Sequence, residues 1–256
     1  MTGINYVPIT EDFENCYNAA KRHLQYHVAG GLKWYKVQPL QPFLEHMAFY
    51  FGNQLFFVKL EDVDHKLEET STTKGLLLIA DRCQGHACIM PMRKCLGEWA
   101  PAEKGWGLLD AQTGFPVDPF ELKSDVPIEM TDWELHDFAV MIVREELEKI
   151  GVEVIECYSN PDADPSLWFV GDTGKEWVVV RAARYPLKKA ARPPHLMEVH
   201  KAFEHVGCVG YFASVLFTSL SETFDPRAEE NGNIAPLNRG EEISFQCTEF
   251  KELKFE

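Results

Sequence analysis

Two aspartates in a short bend are the residues of this sequence best suited to hold a metal ion. They are Asp162 and Asp164, in the segment 160–165 with the sequence NPDADP. Carboxylate oxygens are the ligands that Mg²⁺ prefers, and a bound Mg²⁺ can activate water for attack on a phosphate. Aspartate is also a favoured turn residue, so the alternative is that both side chains only form Asx turns before Pro165.

A basic run without acidic residues lies downstream of this bend. Its cationic members are Arg181, Arg184, Lys188, Lys189 and Arg192. Such side chains contact phosphate oxygens, which makes the run a candidate surface for binding nucleic acid beside the bend. The alternative is a solvated loop whose charge balances nearby carboxylates.

A cluster in the first half of the chain is a weaker candidate for a metal site. Its members are Cys83, His86, Cys88 and Cys95. Zinc sites commonly use two spaced pairs of Cys or His ligands, and this spacing matches no common pattern. Buried free cysteines are the alternative. The sequence contains neither a Gly-x-Ser-x-Gly elbow nor a Gly-x4-Gly-Lys phosphate loop, so nucleophilic catalysis has little support.

The acidic bend follows a predicted helix. Thr131 and Glu134 have the spacing of a capping box, and Gly151 is a suitable residue just past the end of the helix. The apolar residues between them recur at helical spacing, which predicts one broad buried face.

An extended meander and a second helix should follow. Strands are predicted at 152–155, 167–170 and 177–182, with the acidic bend between the first two. The second helix should begin after Pro194, and the apolar run 209–218 predicts a central or parallel strand. A strand, a crossover helix and a parallel strand form a right-handed unit in nearly all proteins.

This order of elements, over roughly residues 131–218, resembles the core of the restriction-endonuclease-like, or PD-(D/E)xK, nuclease superfamily. The resemblance implies that a helix Glu, an Asp at the bend and a Glu-x-Lys on the third strand hold Mg²⁺. Asp164 is then the counterpart of the family Asp, with Glu134 as the helix carboxylate and Asp162 as a further metal ligand. Arg181 stands in the place of the Lys, where it would contact phosphate.

The third strand departs from the family pattern. Val179 stands where the family has its Glu, which removes one metal ligand. Arg181 cannot be deprotonated, so its role is limited to contact with phosphate or the transition state. Glu176 would have to reach the site from the start of the strand. We therefore expect a nuclease-like fold with a degenerate active site.

Three functions are compatible with this pattern. The first is a protein that binds a partner, either protein or nucleic acid, and needs no cofactor. The second is an Mg²⁺-dependent nuclease that uses Asp164, Glu134 and Arg181 as catalytic residues. The third is an immunity or adaptor module whose acidic surface meets a basic partner.

The first half of the chain predicts a mixture of helices and strands without a recognisable motif. A helix is expected at 11–27 and a second, short one at 43–50. Strands are expected at 55–60 and 75–80, and a strand at 87–92 is expected to pair antiparallel with 75–80.

The whole chain is therefore predicted to be an α+β (mixed α/β) protein. Residues 1–125 would form an α+β region, either a separate domain or an elaboration. Residues 126–256 would form a mixed-sheet domain with the α-β-β-β-α-β order of the nuclease core. A chain of 256 residues is long enough for either arrangement.

Composition restricts the partners and the compartment. The chain has 40 Asp and Glu against 25 Lys and Arg, and its net charge of −15 opposes general affinity for nucleic acid. A local basic patch can still bind one. The seven cysteines are scattered, and the sequence shows no secretory signal and no apolar segment of about 20 residues. These features predict a cytoplasmic protein with free thiols and no membrane association.

Overall fold

The computed structural model describes residues 10–36, 46–67, 72–204, 208–220 and 236–254. The chain divides into two compact units, Met1–Ile128 and Glu129–Glu256. Each unit combines helices with a β-sheet, so the predicted α+β class is observed. None of the helices within the described ranges is long and apolar enough to cross a membrane.

The first unit is built on a six-stranded sheet. Its helices and strands are α1 (Glu11–Tyr26), β1 (Lys33–Lys36), β2 (Met47–Phe51), β3 (Gln54–Asp62), α2 (Thr73–Arg82), β4 (His86–Cys95), β5 (Glu98–Pro101), β6 (Leu109–Asp110) and the short α3 (Pro119–Leu122). Helix α1 begins as predicted, because the Thr10 hydroxyl accepts a hydrogen bond from the Phe13 amide. The apolar face of α1 joins the sheet in one buried cluster.

The segment 75–80 was predicted as a buried strand, and that prediction is wrong. It forms helix α2, whose N-cap Thr72 accepts a hydrogen bond from the Gly75 amide. Leu76 and Ala80 are buried one helical turn apart, whereas Leu78 is 51% exposed. A continuous apolar run carries no periodicity that separates a strand from a helix, and burial at a spacing of four residues belongs to the helix.

Two neighbouring predictions also need correction. The strand expected at 87–92 exists as β4, but it pairs parallel with β3 and not antiparallel with 75–80. Helix α2 is the crossover that a parallel pair requires. The helix expected at 43–50 is wrong where the chain is described, because Met47–Phe51 form β2, antiparallel to β3. Residues 43–45 lie outside the described residues.

The second unit has a five-stranded sheet. Its elements are α4 (Asp132–Lys149), β7 (Glu153–Cys157), β8 (Leu167–Gly171), β9 (Gly174–Arg184), α5 (Leu196–Glu204), β10 (Gly210–Ser219) and β11 (Ile243–Glu252). Strands β7, β8 and β9 form an antiparallel meander, β10 lies parallel to β9, and β11 pairs antiparallel with β10 at the far edge. The predicted order of helix, meander, helix and parallel strand is therefore observed.

Helices α4 and α5 cover opposite faces of this sheet. Val178 and Val180 of β9 pack in the cluster that contains the apolar face of α4. Trp177 and Val179 pack in the cluster that contains residues of α5. Side chains alternate between the two faces of a strand, so Arg181 continues the series on the α5 face.

Candidate functional site at the Asp164 bend

The acidic bend is a fixed turn between β7 and β8. The Asp162 amide donates to the Asn160 side-chain oxygen at 2.9 Å, which is an Asx turn formed by Asn160. At the ends of the bend the Tyr158 amide donates to the Ser166 carbonyl, and the Ser166 amide donates to the Val178 carbonyl on β9. The bend therefore holds Asp164 against β9.

The Asp164 side chain is buried, and its carboxylate contacts both Arg181 and His195. Arg181 Nη1 donates to Asp164 Oδ1 at 3.0 Å, and Arg181 Nη2 donates to Oδ2. His195 Nε2 lies 2.8 Å from the same Oδ2. The Asp164 side chain is 3% exposed, whereas that of His195 is 46% exposed. The pair Asp164–Arg181 is a two-bond guanidinium–carboxylate contact, the strongest geometry available to these groups.

A second histidine lies in the electrostatic field of this pair. His136, on α4, is buried, and its Nε2 atom finds no hydrogen-bond partner among the residues that the structure describes. Burial, followed by the positive charge of Arg181, lowers the pKa of His136 to about 4. The carboxylates of Asp137, Asp164 and Asp162 oppose this shift. His136 is therefore neutral at neutral pH.

Glu134, the predicted helix carboxylate, has other partners. The predicted capping box is present, with the Thr131 amide donating to Glu134 Oε2 at 2.9 Å. Arg239 Nε donates to Glu134 Oε1 and Arg239 Nη2 donates to Oε2, each at 2.9 Å. Both side chains of this ion pair are 0% exposed. Glu134 thus ties the start of α4 to Arg239, while Asp164 binds Arg181 and His195.

The remaining predicted ligands do not complete a metal site. Within the described ranges, no group of three or more His, Cys, Asp or Glu side chains is arranged to hold a metal ion. Asp164, Glu134 and Asp162 are therefore not brought together as one metal site in the described part of the chain, and their individual roles as ligands stay predictions. Val179 is fully buried among apolar side chains. Glu176 accepts hydrogen bonds from the Thr173 amide and hydroxyl, at the hairpin end of β9.

In the described part of the first unit, the Cys and His cluster is not arranged as a group that could hold a metal ion. Cys83 and Cys88 are buried, and Cys95 is exposed. His86 Nε2 lies 2.9 Å from the Gln54 side-chain oxygen. Burial raises the pKa of the Cys88 thiol to about 12, so this sulfur stays protonated.

The basic run is largely paired with acidic side chains of the same unit. Arg184 contacts the carboxylates of Glu129 and Asp132 and donates to the Met130 carbonyl at 2.8 Å. Glu249 accepts from Arg192 at 2.7 Å and lies 3.8 Å from the Lys189 ammonium. Lys188 and Lys189 are exposed. The role of the five cationic residues in phosphate binding stays a prediction, and most of their charge is already balanced.

Two residues of this site were not predicted as site residues. The spacing of five between His195, His200 and His205 places them on different faces of a helix, so the sequence predicts no common ligand set for them. The signal that could have identified His195 is its position right after Pro193-Pro194, at the start of the helix that crosses over from β9. His136 precedes Ala139, Val140 and Val143 at helical spacing, which indicates a histidine on the buried face of α4.

Comparison with known proteins adds a family match for the second unit. A family model described as a domain of unknown function (DUF8840) matches residues 133–253, which extend from α4 to just past β11. No curated protein matches the chain, and no solved structure matches it. The second unit is thus similar to a family whose own description assigns no function.

Proposed function

We propose that this protein binds a partner through a nuclease-like second unit that lacks a working metal centre. The observation that carries the proposal is the occupation of Asp164 by Arg181. A magnesium ion needs carboxylate oxygens as ligands, and both oxygens of Asp164 already accept hydrogen bonds from one guanidinium. Arginine keeps its proton at any pH a protein survives, so this cation does not leave by deprotonation.

The order of elements supports the nuclease-like part of the proposal. Helix α4, the meander β7–β9, helix α5 and the parallel strand β10 follow the α-β-β-β-α-β order of the restriction-endonuclease-like core. The bend with Asp164 precedes the second strand, and Arg181 lies on the third. The position of the family Glu is taken by Val179, which packs in an apolar cluster and offers no ligand.

Charge favours a protein partner with a basic surface over a nucleic acid. The chain has a net charge of −15, and binding nucleic acid depends on free Lys and Arg that release counterions from phosphates. In the basic run, Arg181, Arg184 and Arg192 already contact carboxylates. An acidic surface attracts and orients a basic partner through long-range electrostatics.

A cleavage assay tests the absence of a metal nuclease centre. The intact chain is incubated with Mg²⁺ or Mn²⁺ and a panel of single- and double-stranded DNA and RNA, beside Asp164→Ala and Asp164→Asn. We expect no cleavage by any of the three proteins. Cleavage by the wild type that both variants lose would overturn the proposal and favour an Mg²⁺-dependent nuclease. Thermal melts of the variants separate a loss of activity from a loss of folding.

A binding assay tests the choice of partner class. Fluorescence anisotropy with labelled DNA and RNA is measured over a range of salt concentrations for the wild type and for Lys188→Gln/Lys189→Gln. We expect weak binding with the same salt dependence in both proteins. Tight binding that the double variant weakens, with a shallower salt slope, would show that the partner is a nucleic acid. A suitable control is Lys66→Gln/Lys104→Gln, which removes the same charge from the first unit.

A further inference from the structure

Two histidines on helix α1 of the first unit point their Nε2 atoms at each other. His23 lies in the last turn of α1, and His27 is its C-cap residue. Residues four apart lie on the same face of a helix. The two Nε2 atoms are 3.3 Å apart, and the Gly105 carbonyl oxygen lies 2.9 Å from His23 Nε2. His23 Nε2 therefore has two neighbouring atoms that can each offer a lone pair, at a partly exposed position.

Hydrogen bonding alone satisfies this arrangement poorly. A carbonyl oxygen only accepts, so His23 Nε2 must carry its proton to bond Gly105. A protonated Nε2 then has no lone pair for His27. If His27 carries the proton and donates to His23, the Gly105 carbonyl receives no bond from this pair. When both imidazoles are neutral, at most one of the two contacts of His23 Nε2, with Gly105 or with His27, is therefore a well-formed hydrogen bond.

A cation bound between the two rings gives both Nε2 atoms a partner at the same time. Zinc binds histidine nitrogen at about 2.0–2.1 Å in a tetrahedral arrangement, which places two nitrogen ligands roughly 3.4 Å apart. The observed separation of 3.3 Å between the Nε2 atoms is close to that edge. The Gly105 oxygen lies 2.9 Å from His23 Nε2, so it would move outward by about 0.5 Å to supply a third ligand, and water would fill the open position.

The ring of His27 is held in place by aromatic contacts. It stacks on Trp106, with ring centroids 4.8 Å apart and an interplanar angle of 21°. Trp106 is itself buried and lies parallel to Phe49 in the core. His23 meets His27 edge to face, with centroids also 4.8 Å apart. Ligands whose orientation is fixed before binding lose little freedom when the ion enters.

We propose that His23 and His27, with the Gly105 carbonyl, bind a zinc-type divalent cation. The ion would join the end of α1 to the loop that contains Gly105 and Trp106. The site uses only two side-chain ligands. It is therefore smaller than the groups of three or more His, Cys, Asp or Glu, of which the described residues contain none. The site lies in the first unit and is independent of the function proposed for the second.

The test is titration of the intact, reduced, metal-free chain with Zn²⁺ in a calorimeter. We expect one bound ion in the wild type and affinity about tenfold or more weaker in His23→Gln and in His27→Gln. His65→Asn is the matched control, because His65 is exposed in the same unit and asparagine tolerates its positive φ of 53°. Cys95→Ser/Cys247→Ser removes the two exposed thiols, which also attract zinc.

The outcomes separate the proposal from its alternatives. Equal zinc affinity in the wild type and both histidine variants overturns it, and so does loss of binding in the cysteine variant alone. Absence of zinc binding by the wild type shows that the two rings only share a hydrogen bond. Circular dichroism melts without metal establish that the variants are folded. If both fail to fold, the electron paramagnetic resonance spectrum of the wild type with one equivalent of Cu²⁺ decides, and a spectrum without nitrogen coupling rejects the site.

Discussion

Arg239 should be among the most costly residues to replace in the second unit. Its guanidinium donates two hydrogen bonds of 2.9 Å to Glu134, and both side chains are fully buried. Arg239→Met keeps much of the apolar volume but leaves the Glu134 carboxylate buried without its cation. Breaking a buried ion pair by removing one partner costs about 3–5 kcal/mol.

The structure favours the lower end of that range. The Thr131 amide still donates to Glu134 Oε2 at 2.9 Å, and the first turn of α4 favours a negative charge through the helix dipole. We therefore expect Arg239→Met to lower the free energy of unfolding by about 3 kcal/mol. That is a large part of the free energy of unfolding of a typical domain, which is roughly 5–15 kcal/mol.

A double variant shows whether the uncompensated charge is the cause. Glutamine retains the capping-box contact, so Glu134→Gln/Arg239→Met should recover most of the lost stability. Hydrogen exchange of peptides from α4 measures the opening free energy of the second unit separately from the first. A cost below about 1 kcal/mol for Arg239→Met, or a double variant no more stable than the single one, would refute the assignment of Glu134 to a structural ion pair.

Two further predictions concern the second unit. The pKa of His136 is about 4 in the folded chain, below the ordinary value of 6.5, so its contribution to stability is complete above pH 6.5 and is lost as the pH falls towards 4. Between pH 7 and pH 4, urea melts should show a loss of stability larger in the wild type than in His136→Gln, by on the order of 3 kcal/mol. Gly210→Ala should destabilise the unit by about 2 kcal/mol or more in thermal melts, because the added methyl would lie 2.2 Å from the Trp177 ring.

Each of these two predictions has a result that contradicts it. Parallel pH profiles for the wild type and His136→Gln would mean that His136 does not stay neutral in the folded chain. An unchanged melting temperature in Gly210→Ala would mean that the Trp177 ring can move aside at little cost. Gly210→Ala/Trp177→Phe is the matched control, since the smaller ring makes room for the methyl and the loss due to the clash should shrink.

The elements with local signals could be predicted from the sequence. The Thr131–Glu134 capping box and the Thr10 cap place their helices correctly, because each cap is a contact between residues three apart. The run of apolar residues in β10 predicts a central strand, and β10 lies between β9 and β11. The strand prediction for segment 75–80 was wrong because its Leu and Ile residues form a continuous run without a helical period. The helical period becomes visible only in which residues are buried, Leu76 and Ala80, and burial depends on the rest of the fold.

The candidate site could be predicted only in part, for the same reason. The bend could be located from its turn residues, and Arg181 from its place on the third strand. The contacts themselves join residues far apart in sequence, such as Asp164 with Arg181 and His195, and Glu134 with Arg239. Spacing in the sequence indicates whether two side chains share a face of one element. It does not indicate which carboxylate a distant arginine reaches.

Asp164 and Glu134, two carboxylates of the second unit with buried side chains, are stabilised in the same way. A buried carboxylate is costly unless a cation and hydrogen-bond donors surround it. Asp164 and Glu134 each receive two hydrogen bonds from one guanidinium, supplied by Arg181 and Arg239. In a metal-dependent nuclease the cation is an exchangeable ion, and the reaction uses its open coordination sites. A guanidinium attached to the chain has no such sites. Under the proposed function, arginine stands where a nuclease would hold its ion, so the carboxylates stay buried and paired without the open sites that metal chemistry uses.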